Sequence, residues 1–588
     1  MRVLVIDDRE AVAELVVKQL RDSPVVELCI RSPQKEDGFG GHLSGDLATL
    51  LKEHDIDTVV YSPPQVGRRR TSVDLEDAET VFQECAGSRV KKFVLLSSAM
   101  IYGAYPHNKG FLPESIAISR SQKHAIARDW IDLETLANVY LGKLSSNSTE
   151  LNVLRPATVL LPGGDDYFSR LFDGRVSVTF AGHDPSIQLL SPNDLAAAVR
   201  CVIEQGRGEV HNVAPDGVIP LRAALRLSEV KRIAIWRPLQ RLLRRVFARS
   251  GLAHPIEQLE YIRYSWTISN RKLKGDTGWQ PTRSSVEALR DFRIARTGHL
   301  RSHQVATLEF DDYGLDKRYI AAFGRTLFRL LHDYYWRIEV KDVDYVPRKG
   351  RAVLVGVHRG FMPWDAVMAL HLIAKSAGRY VRFLIHPGLI KFPFLFNFHT
   401  KMGGMIACQE NADLVLGQDE ILAIYPEGIR GAFTLYRDGY KLAKFGRGEY
   451  VKIALRNRAP IVPFVNVGSA EAFPILKRVD WGWWKRHTDW PFFPLTPTWP
   501  LLPVPLPSKW HTQFLEPIHI EERYPPEAAD DPEMVRAISD EIRYEMEEAI
   551  ARILRRRKSI FYGSVFDDGG ERKLTEALIL RKEESFKL

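Results

Sequence analysis

The sequence predicts an α/β protein with an N-terminal Rossmann-like, doubly wound parallel sheet domain followed by a second α/β domain. Short β-branched runs alternate with helical stretches in both halves of the chain, and such alternation favours mostly parallel sheets. The chain also has 588 residues, more than one hydrophobic core supports. Two to four domains are therefore expected.

The N-terminal alternation covers residues 1–225. Helices such as Glu10–Arg21 and Arg120–Leu141 separate the predicted strands. These strands are the apolar runs VLVI (3–6), TVVY (58–61), KFVLL (92–96), LNVLR (151–155) and EVHNV (209–213). Because helices connect them, the strands are expected to run parallel in a doubly wound sheet.

A second alternation begins after about residue 305. Its strands are AVLVGV (352–357), YVRFLI (380–385), EILAIY (420–425) and PIVPFVNV (460–467). A last helix is predicted over Asp531–Lys558, with an acidic start and a basic end that suit the helix dipole. The polar stretch 296–304 marks the boundary, so the predicted domains are 1–300 and 305–560, followed by a tail at 561–588.

Composition places the chain among ordinary globular proteins, with 26% charged and 45% hydrophobic residues. Its four cysteines show no metal-ligand or disulfide spacing, so no metal site is predicted and a reducing cytoplasmic compartment is expected. The N-terminus lacks the basic and apolar regions of a signal peptide. No run of 18 apolar residues occurs, so contact with a membrane would be lateral.

The net charge of +9 is concentrated in the middle of the chain. The segment from Ser228 to Arg301 contains sixteen Lys/Arg residues and six Asp/Glu residues. This local excess predicts an anionic partner. An anionic membrane surface is the favoured one, whereas nucleic acid is not expected because the region carries no recognisable reading motif. The pattern predicts no oligomeric state.

Two segments could meet such a membrane. Residues Trp236–Arg249 project as a helix with one apolar stripe and an arginine-rich face, which fits an anionic leaflet or packing on its own domain. The second segment is aromatic and proline-rich: it holds Trp481, Trp483, Trp484 and Trp490 and continues through 491–507. It suits either a membrane interface or a loop that closes an acyl pocket.

The N-terminal half resembles two families. VLVIDDREAVAELV resembles the start of a response-regulator receiver domain, but the third strand ends in Tyr61-Ser62-Pro63, without the phosphoacceptor Asp. A broader resemblance, over residues 1–297, is to extended short-chain dehydrogenases/reductases of the epimerase and dehydratase type. The motifs that carry it are Gly45-Asp46-Leu47, DIDTVVY (55–61), LLSSAMIYG (95–103), Leu112-Pro113-Glu114, Leu154-Arg155-Pro156, Asn193-Asp194 and LKGDTGWQPT (273–282).

The functional positions of that family are altered here. Its three turn glycines, which let the backbone approach a pyrophosphate, fall on Asp7, Glu10 and Ala13. Carboxylates would then face an anion, so NAD(P) binding in the usual mode is not expected. The Tyr-x-x-x-Lys pair should fall near 119–123, where Lys123 has no tyrosine four residues before it. Ser97 and Ser98 are interpreted as a strand-end turn.

This half is therefore predicted to be catalytically silent, with a regulatory or scaffold role. Two alternatives stay open. In one, it is an active NAD(P)-dependent epimerase or reductase that works with the second half. In the other, it is a module that binds a partner from a lipid pathway.

The second half carries a histidine and an acid directly after an apolar strand. His358 and Asp365 are the types that a general base needs, since the carboxylate orients the imidazole and stabilises its charged form. Alone this pattern also fits a surface histidine with no catalytic role. About 60 residues later follows Tyr425-Pro426-Glu427-Gly428-Ile429-Arg430, with an arginine and backbone amides suited to a phosphate.

With GLIKFPFLFNFHTKMGG (388–404), KFGRG (444–448) and PIVPFVNVGSAEAFP (460–474), these blocks resemble the glycerolipid acyltransferase family, of the lysophosphatidate acyltransferase type, over residues 318–525. The resemblance implies that His358 deprotonates an acceptor hydroxyl with Asp365 as its partner. Six residues separate the pair where four are common, and Ile429 replaces a usual Thr. The substrate-binding residues that it implies are Arg359, Lys391, Gly403, Gly404, Glu427, Gly428 and Arg430.

The same resemblance implies the reactants. The donor is an acyl thioester, acyl-CoA or acyl carrier protein, and the acceptor is a lysolipid or a glyceride. Acyl transfer of this kind requires no cofactor. Such acceptors predict a cytoplasmic protein held peripherally on a membrane.

Overall fold

The computed structural model divides the chain into two compact units, one of Met1–Leu315 with Phe392–Thr400 and one of Asp316–Lys391 with Lys401–Leu588. The structure describes every residue except 8–9, 32–43, 67–71, 107, 109–110, 119–123, 143–148, 163, 165, 236–257, 298–310, 312, 361, 387, 390–391, 447, 489, 499–503 and 567–588. The predicted junction and the predicted tail thus lie largely outside the described residues, as does the basic segment Trp236–Arg249.

The first unit contains a six-stranded sheet in which every neighbouring pair is parallel. Its strands are β1 (Arg2–Asp7), β2 (Leu28–Arg31), β3 (Thr58–Ser62), β4 (Lys92–Leu96), β5 (Glu150–Pro156) and β6 (Val210–Val213). Their order is β6-β5-β4-β3-β1-β2. The order reverses between β1 and β3, which makes the sheet doubly wound as predicted.

The strands of this sheet are apolar on both faces because both faces are covered. Leu4 and Leu95 belong to one buried cluster, whereas Val3, Val5 and Val94 belong to the other. Successive residues of one strand point to opposite faces, so a parallel sheet between two layers of helices needs an unbroken apolar run. This is why runs such as KFVLL predicted the strands well.

Helices and short strands complete the first unit. The helices are Glu10–Arg21, Ser44–Glu53, Leu75–Ala86, Ala125–Tyr140, Tyr167–Asp173, Pro192–Gln205, Leu221–Leu227, Arg271–Thr277 and Ser285–Thr297, with 3-10 turns at Ala99–Tyr102 and Gln258–Ile262. Two-stranded pairs join Gln65–Val66 to Ser72–Val73, Thr158–Val159 to Leu189–Leu190, Val176–Phe180 to Lys231–Ile235 and Ser186–Ile187 to Ile219–Pro220.

The second unit contains a seven-stranded mixed sheet. Its strands are β7 (Glu339–Lys341), β8 (Ala352–Val355), β9 (Val381–Ile385), β10 (Gly404–Ile406), β11 (Ile421–Ile424), β12 (Ile461–Val467) and β13 (His511–Phe514). Their order is β7-β13-β12-β8-β11-β9-β10. Only β12 and β13 pair antiparallel; the other neighbours are parallel. The second predicted α/β domain is confirmed.

The helices of the second unit are Lys317–Phe323, Trp364–Ala377, Gln409–Gly417, Gly428–Ala432, Glu449–Arg456, Ser469–Ala472, Gly482–Thr488, Ile520–Arg523 and Pro532–Arg556, with π-helical turns at Gly324–Phe328 and Leu330–Tyr335 and 3-10 turns at Val343–Tyr345, Tyr436–Asp438 and Pro526–Asp530. The helix Pro393–Lys401 follows β9 in the chain but belongs, up to Thr400, to the first unit. A hairpin pairs Lys477–Val479 with Phe493–Leu495. The long last helix begins where predicted, because Asp531 accepts hydrogen bonds from the amides of Glu533 and Met534. Within the described part of the chain, no helix combines the length and apolarity needed to cross a bilayer.

Candidate active site

Three neighbouring parallel strands of the second unit, β12, β8 and β11, end at the same edge of the sheet. The His358 block follows β8, and the Glu427 block follows β11. The segment after β12 leads through Ser469–Ala472 to the aromatic hairpin. The carboxyl edge of a parallel sheet is where α/β proteins bind ligands, so the topology brings together the His358 block and the Glu427 block.

His358 and Asp365 form a direct pair at this edge. The Nδ1 atom of His358 lies 2.7 Å from Oδ1 of Asp365. The carboxylate is almost fully buried, with 1% of its side chain exposed, and it also accepts hydrogen bonds from the amides of Arg359 and Ala366 at 2.6 and 2.8 Å. Because Nδ1 is engaged, Nε2 is the imidazole nitrogen left to exchange a proton with a reactant.

The turn between the two residues explains their wide spacing. Gly360 has φ of 78°, a left-handed conformation in which other residues are strained, and its Cα lies close to Phe473. The helix Trp364–Ala377 then begins after Pro363 and carries Asp365 in its first turn. A carboxylate is favoured there by the helix dipole. Two extra residues therefore lengthen the turn without separating the pair.

Arg359 is buried within the protein, at 3% exposure, and every one of its five N–H groups has a protein acceptor. Its Nε donates to the carbonyl of Gly439. Its two terminal nitrogens donate to both oxygens of Glu427 and to the carbonyls of His358 and Lys441. In this arrangement Arg359 has no donor left for a substrate oxygen. It instead ties the His358 block to the Glu427 block.

Glu427 is also buried, at 7% exposure, and accepts from Arg359 and from the amide of Ala443. The neighbouring residues Gly428 and Arg430 are exposed, and Gly428 has φ of 57° with open space around its Cα. No carboxylate pairs with the Arg430 side chain among the residues that the structure describes. The exposed part of this block therefore consists of the Arg430 guanidinium and the neighbouring backbone of Gly428, which has no side chain.

The remaining predicted substrate-binding residues lie further away or cannot be placed. Gly404 starts β10 and Gly403 precedes it, and both glycines are buried. They sit three strand positions from β8, roughly 14 Å at the usual strand spacing. Lys391 falls outside the described residues.

Tyr425 is a neighbour of His358 that the sequence analysis did not single out. Its ring meets the imidazole edge to face, with centroids 5.9 Å apart. Its hydroxyl oxygen is buried and has no hydrogen-bond partner in the described structure. Burial and the charge of Asp365 raise the pKa of Tyr425 well above its ordinary value, so the hydroxyl remains a donor. Its position directly before the Pro-Glu-Gly block was the available signal.

The corresponding edge of the first unit is closed by its own hydrogen bonds. Ser97 Oγ, directly after β4, donates to Glu134 at 2.6 Å. Glu134 is held by Arg155, which also donates to Tyr102, and Tyr102 donates to Asn212. Ser98 caps the 3-10 turn by accepting from the amide of Met100. The interpretation of both serines as part of a strand-end turn agrees with these contacts.

The described residues around the end of β1 carry side chains that oppose a dinucleotide. The strand ends at Asp7, so a carboxylate stands where close approach of a pyrophosphate requires glycine. Ala13 is completely buried among the apolar residues of the adjoining helix and sheet. The side chain of Glu10 and residues 8–9 lie outside the described part. A carboxylate and added side chains oppose an anionic ligand both electrostatically and sterically.

Comparison with known proteins identifies the second half. A family model described as Acyltransferase matches residues 337–467, which include His358, Asp365 and Glu427. Phytyl ester synthase 2, chloroplastic, from Arabidopsis thaliana is 28% identical over 144 residues, covering 23% of this chain and 20% of the plant protein. The expected acyltransferase domain is thus confirmed.

The N-terminal half is matched by solved structures of low similarity. One is MoeE5 in complex with UDP-glucuronic acid and NAD, with 17% identity, a TM-score of 0.39, and coverage of 50% of this chain and 98% of that chain. Another is UDP-glucuronic acid 4-epimerase from Bacillus cereus in complex with NAD, with 15% identity, a TM-score of 0.37 and the same coverage.

Among protein sequences, the chain is similar to an uncharacterized protein of Mycobacterium tuberculosis strain H37Rv. The two are 36% identical over 293 residues, which cover 48% of this chain and 81% of the relative. A protein of Mycobacterium leprae is 33% identical over 303 residues and is covered to 82%. The chain therefore contains a C-terminal acyltransferase domain and belongs to the same protein family as these mycobacterial relatives.

Proposed function

We propose that the chain moves a fatty acyl group from an acyl thioester, either acyl-CoA or acyl carrier protein, to a hydroxyl of a glycerolipid or lysophospholipid. One observation carries this proposal: the 2.7 Å pair of His358 Nδ1 and Asp365, which leaves Nε2 for proton transfer. The acyltransferase match at 337–467 supports the class of reaction. The identities of the acyl donor and of the acceptor are proposed together with the reaction.

Besides the acyl donor and the acceptor, the proposed reaction needs only one base. Nε2 of His358 takes the proton of the acceptor hydroxyl while its oxygen attacks the thioester carbonyl carbon. The tetrahedral intermediate then breaks its carbon–sulfur bond. The imidazolium, whose charge Asp365 stabilises, then gives the proton to the leaving thiolate. An ester and a free thiol result, and His358 returns to its neutral form.

The acceptor is proposed to bind beside the Glu427 block. Arg430 is an exposed cation next to the exposed backbone of Gly428, a combination suited to the phosphate of a lysophospholipid. Arg359 and Glu427 are proposed as positioning residues, since their mutual hydrogen bonds hold this block against His358. Lys391, Gly403 and Gly404 remain predicted contacts on the acceptor side.

The test is thiol release and product mass with the purified full chain, supplied with long-chain acyl-CoA and either lysophosphatidate, another lysolipid or a monoglyceride. His358→Ala is compared with His519→Ala. His519 is a matched control because it also hydrogen-bonds a carboxylate, Glu521, at 2.9 Å, but half of its side chain is exposed. Ester formation is expected from the wild type and from His519→Ala only. Turnover retained by His358→Ala would contradict the proposal.

The first unit is proposed to have a regulatory or scaffold role without catalysis. The support is that Ser97 and Arg155 are engaged in internal hydrogen bonds and that Asp7 ends the first strand. Titration of the full chain with NAD and NADP should give no saturable change in tryptophan fluorescence up to about 1 mM, a weak-binding limit. Saturable binding below that concentration would favour the alternative of two active halves.

The acceptor class implies a membrane surface as the place of reaction. Lysolipids and glycerides reside in bilayers, so the chain is proposed to be a cytoplasmic protein that associates peripherally with an anionic membrane.

A further inference from the structure

The hairpin that follows β12 exposes both apolar and basic side chains. We define the aromatic insert as residues 476–495, which comprise the paired strands Lys477–Val479 and Phe493–Leu495 and the helix Gly482–Thr488 between them. The sequence of this insert holds four Lys/Arg residues and two Asp. It belongs wholly to the second unit.

The interior of the insert is an aromatic cluster that fixes its shape. Trp484 meets Trp490 and Phe493 edge to face, with ring centroids 5.7 and 4.9 Å apart. Trp490 is buried at 8% exposure, so of the four tryptophans predicted for a membrane interface or a pocket loop this one packs internally. This packing joins the helix of the insert to its second strand.

The outer surface of the insert exposes several large apolar side chains that do not belong to its internal aromatic cluster. Five large apolar side chains are between 38% and 59% exposed: Leu476, Val479, Trp481, Trp483 and Leu495. Two of them are tryptophans, the residue type that favours the interface between lipid headgroups and acyl chains. Grouped exposure of this kind marks an interaction surface, whereas single exposed apolar residues do not.

Cations lie on the same insert. Lys477, Arg478 and Arg486 are exposed, and Lys485 is half-buried. Arg478 and Lys485 approach the ring of Phe492, at 5.3 and 5.5 Å from its centroid. Basic groups interleaved with interfacial aromatic groups complement an anionic leaflet in both charge and polarity.

The insert is joined to the candidate active site. Trp490 packs against Phe433, with centroids 5.7 Å apart, and Phe433 directly follows the helix Gly428–Ala432 that carries Arg430. At the other end of the connection, Phe473 lies beside Gly360 in the turn between His358 and Asp365. A surface that binds the insert would therefore lie close to the edge where the acceptor is proposed to react.

We propose that the aromatic insert docks this chain onto an anionic lipid bilayer, with Trp481 and Trp483 entering the headgroup region and the exposed Lys477 and Arg478 meeting anionic headgroups. This inference rests on the proposed function in one respect, because that function supplies the reason for lipid contact. The docking itself depends only on the insert and is measured without acyl transfer.

The first experiment measures binding of the full chain to vesicles of phosphatidylcholine alone or with 30% phosphatidylglycerol, by flotation. Trp481→Ala/Trp483→Ala is compared with Tyr345→Ala/Tyr544→Ala, which removes two exposed aromatic residues outside the insert. Each tryptophan leaves about half of its surface exposed, so the tryptophan variant should bind mixed vesicles at least about tenfold more weakly. Equal binding by the two variants would overturn the proposal.

The second experiment tests the charge. Lys477→Gln/Arg478→Gln is compared with Arg348→Gln/Lys349→Gln, an adjacent exposed pair that precedes the opposite end of β8. Loss of the insert's pair should weaken binding to anionic vesicles about tenfold or more and leave the weak binding to neutral vesicles unchanged. An equal loss in both variants would contradict docking through the insert, as would wild-type binding to RNA or to an acidic protein with no binding to vesicles.

Activity and docking can fail separately in these assays. Acceptor dispersed in detergent micelles should be acylated equally by the wild type and by the insert variants, because none of the replaced residues belongs to the proposed catalytic site. If no variant and no wild-type protein transfers acyl groups while vesicle binding still depends on the insert, the proposed function fails and the docking stands. If the wild type transfers acyl groups but vesicle binding does not depend on the insert, the proposed function stands and the docking proposal fails.

Discussion

In each unit a buried arginine–glutamate pair contacts a residue that directly follows a central strand, and these two pairs differ in what they border. Arg155 and Glu134 in the first unit are 7% and 9% exposed at their side chains, and Arg359 and Glu427 in the second are 2% and 1% exposed. The first pair hydrogen-bonds Ser97 and Tyr102, which complete a closed network. The second pair borders His358 through its main-chain carbonyl and leaves the imidazole Nε2 unused.

The comparison shows how similar sheets acquire different roles. A buried ion pair gains little net stability over apolar packing, but removing one partner strands a charge in the interior. Both pairs therefore fix the geometry around them. In the first unit the pair fixes two hydroxyl groups whose protons are already donated within the protein, and in the second unit the pair fixes a base.

Among the substitutions that test this difference between the two units, Asp365→Asn is expected to lower kcat the most. The amide nitrogen would face Nδ1 of His358 and favour the wrong imidazole tautomer, so kcat should fall by about 10²- to 10⁴-fold. The same amide nitrogen cannot accept from the backbone amide of Ala366, so one buried hydrogen bond is lost and the melting temperature should also fall. Steady-state thiol release and thermal unfolding check both parts; a kcat within tenfold of the wild type would contradict a role for Asp365 as the partner of His358.

Glu427→Gln should affect stability and activity together. It removes the charge that balances buried Arg359, which costs about 3–5 kcal/mol in the free energy of unfolding. Because the pair also ties the two blocks of the site, kcat should fall by about tenfold or more. Urea unfolding and kcat are measured on the same preparation. Full activity in a destabilised variant would show that the pair does not position the site.

Glu134→Gln is the matched change in the first unit. It strands Arg155, so unfolding of that unit should be easier by a similar amount, about 3–5 kcal/mol. Acyl transfer at a temperature where the variant is folded should stay within twofold of the wild type. A large fall in kcat without unfolding would mean that the first unit takes part in the reaction.

The smallest effect is expected from Tyr425→Phe. The substitution removes a buried hydroxyl that has no partner in the described structure, and an unpaired buried polar group costs about 1–3 kcal/mol. The free energy of unfolding of the ligand-free protein should therefore stay the same or rise. A loss of more than about 1 kcal/mol, the typical net contribution of a hydrogen bond, would show that the hydroxyl has a stabilising partner.

The sequence predicted most strands of both sheets, including the edge strand β6, but it missed three other edge strands and the inner strand β13. The run KFVLL (92–96) is reproduced residue for residue as β4. The edge strands β2, β7 and β10 were not predicted, and each has only three or four residues. Edge strands are half covered and short, so they carry neither a continuous apolar run nor a clear alternation.

The site shows a similar division. His358 and Asp365 were predicted from local spacing, and the structure brings them together because both lie in one turn. The acceptors that surround Arg359 could not be predicted, since the carbonyls of Gly439 and Lys441 come from a loop 80 or more residues away. The orientation of Trp490 likewise depends on Phe433, a tertiary contact that no local pattern encodes.

The central claim is that acyl-transfer chemistry is confined to the carboxyl edge of the second sheet and depends on His358. Its most direct test is acyl-CoA-dependent thiol release by His358→Ala beside Ser97→Ala, since each residue follows the central part of its own sheet. The account predicts at least about a hundredfold loss of kcat for His358→Ala and activity within twofold of the wild type for Ser97→Ala. Turnover retained by folded His358→Ala, or lost in folded Ser97→Ala, would contradict it.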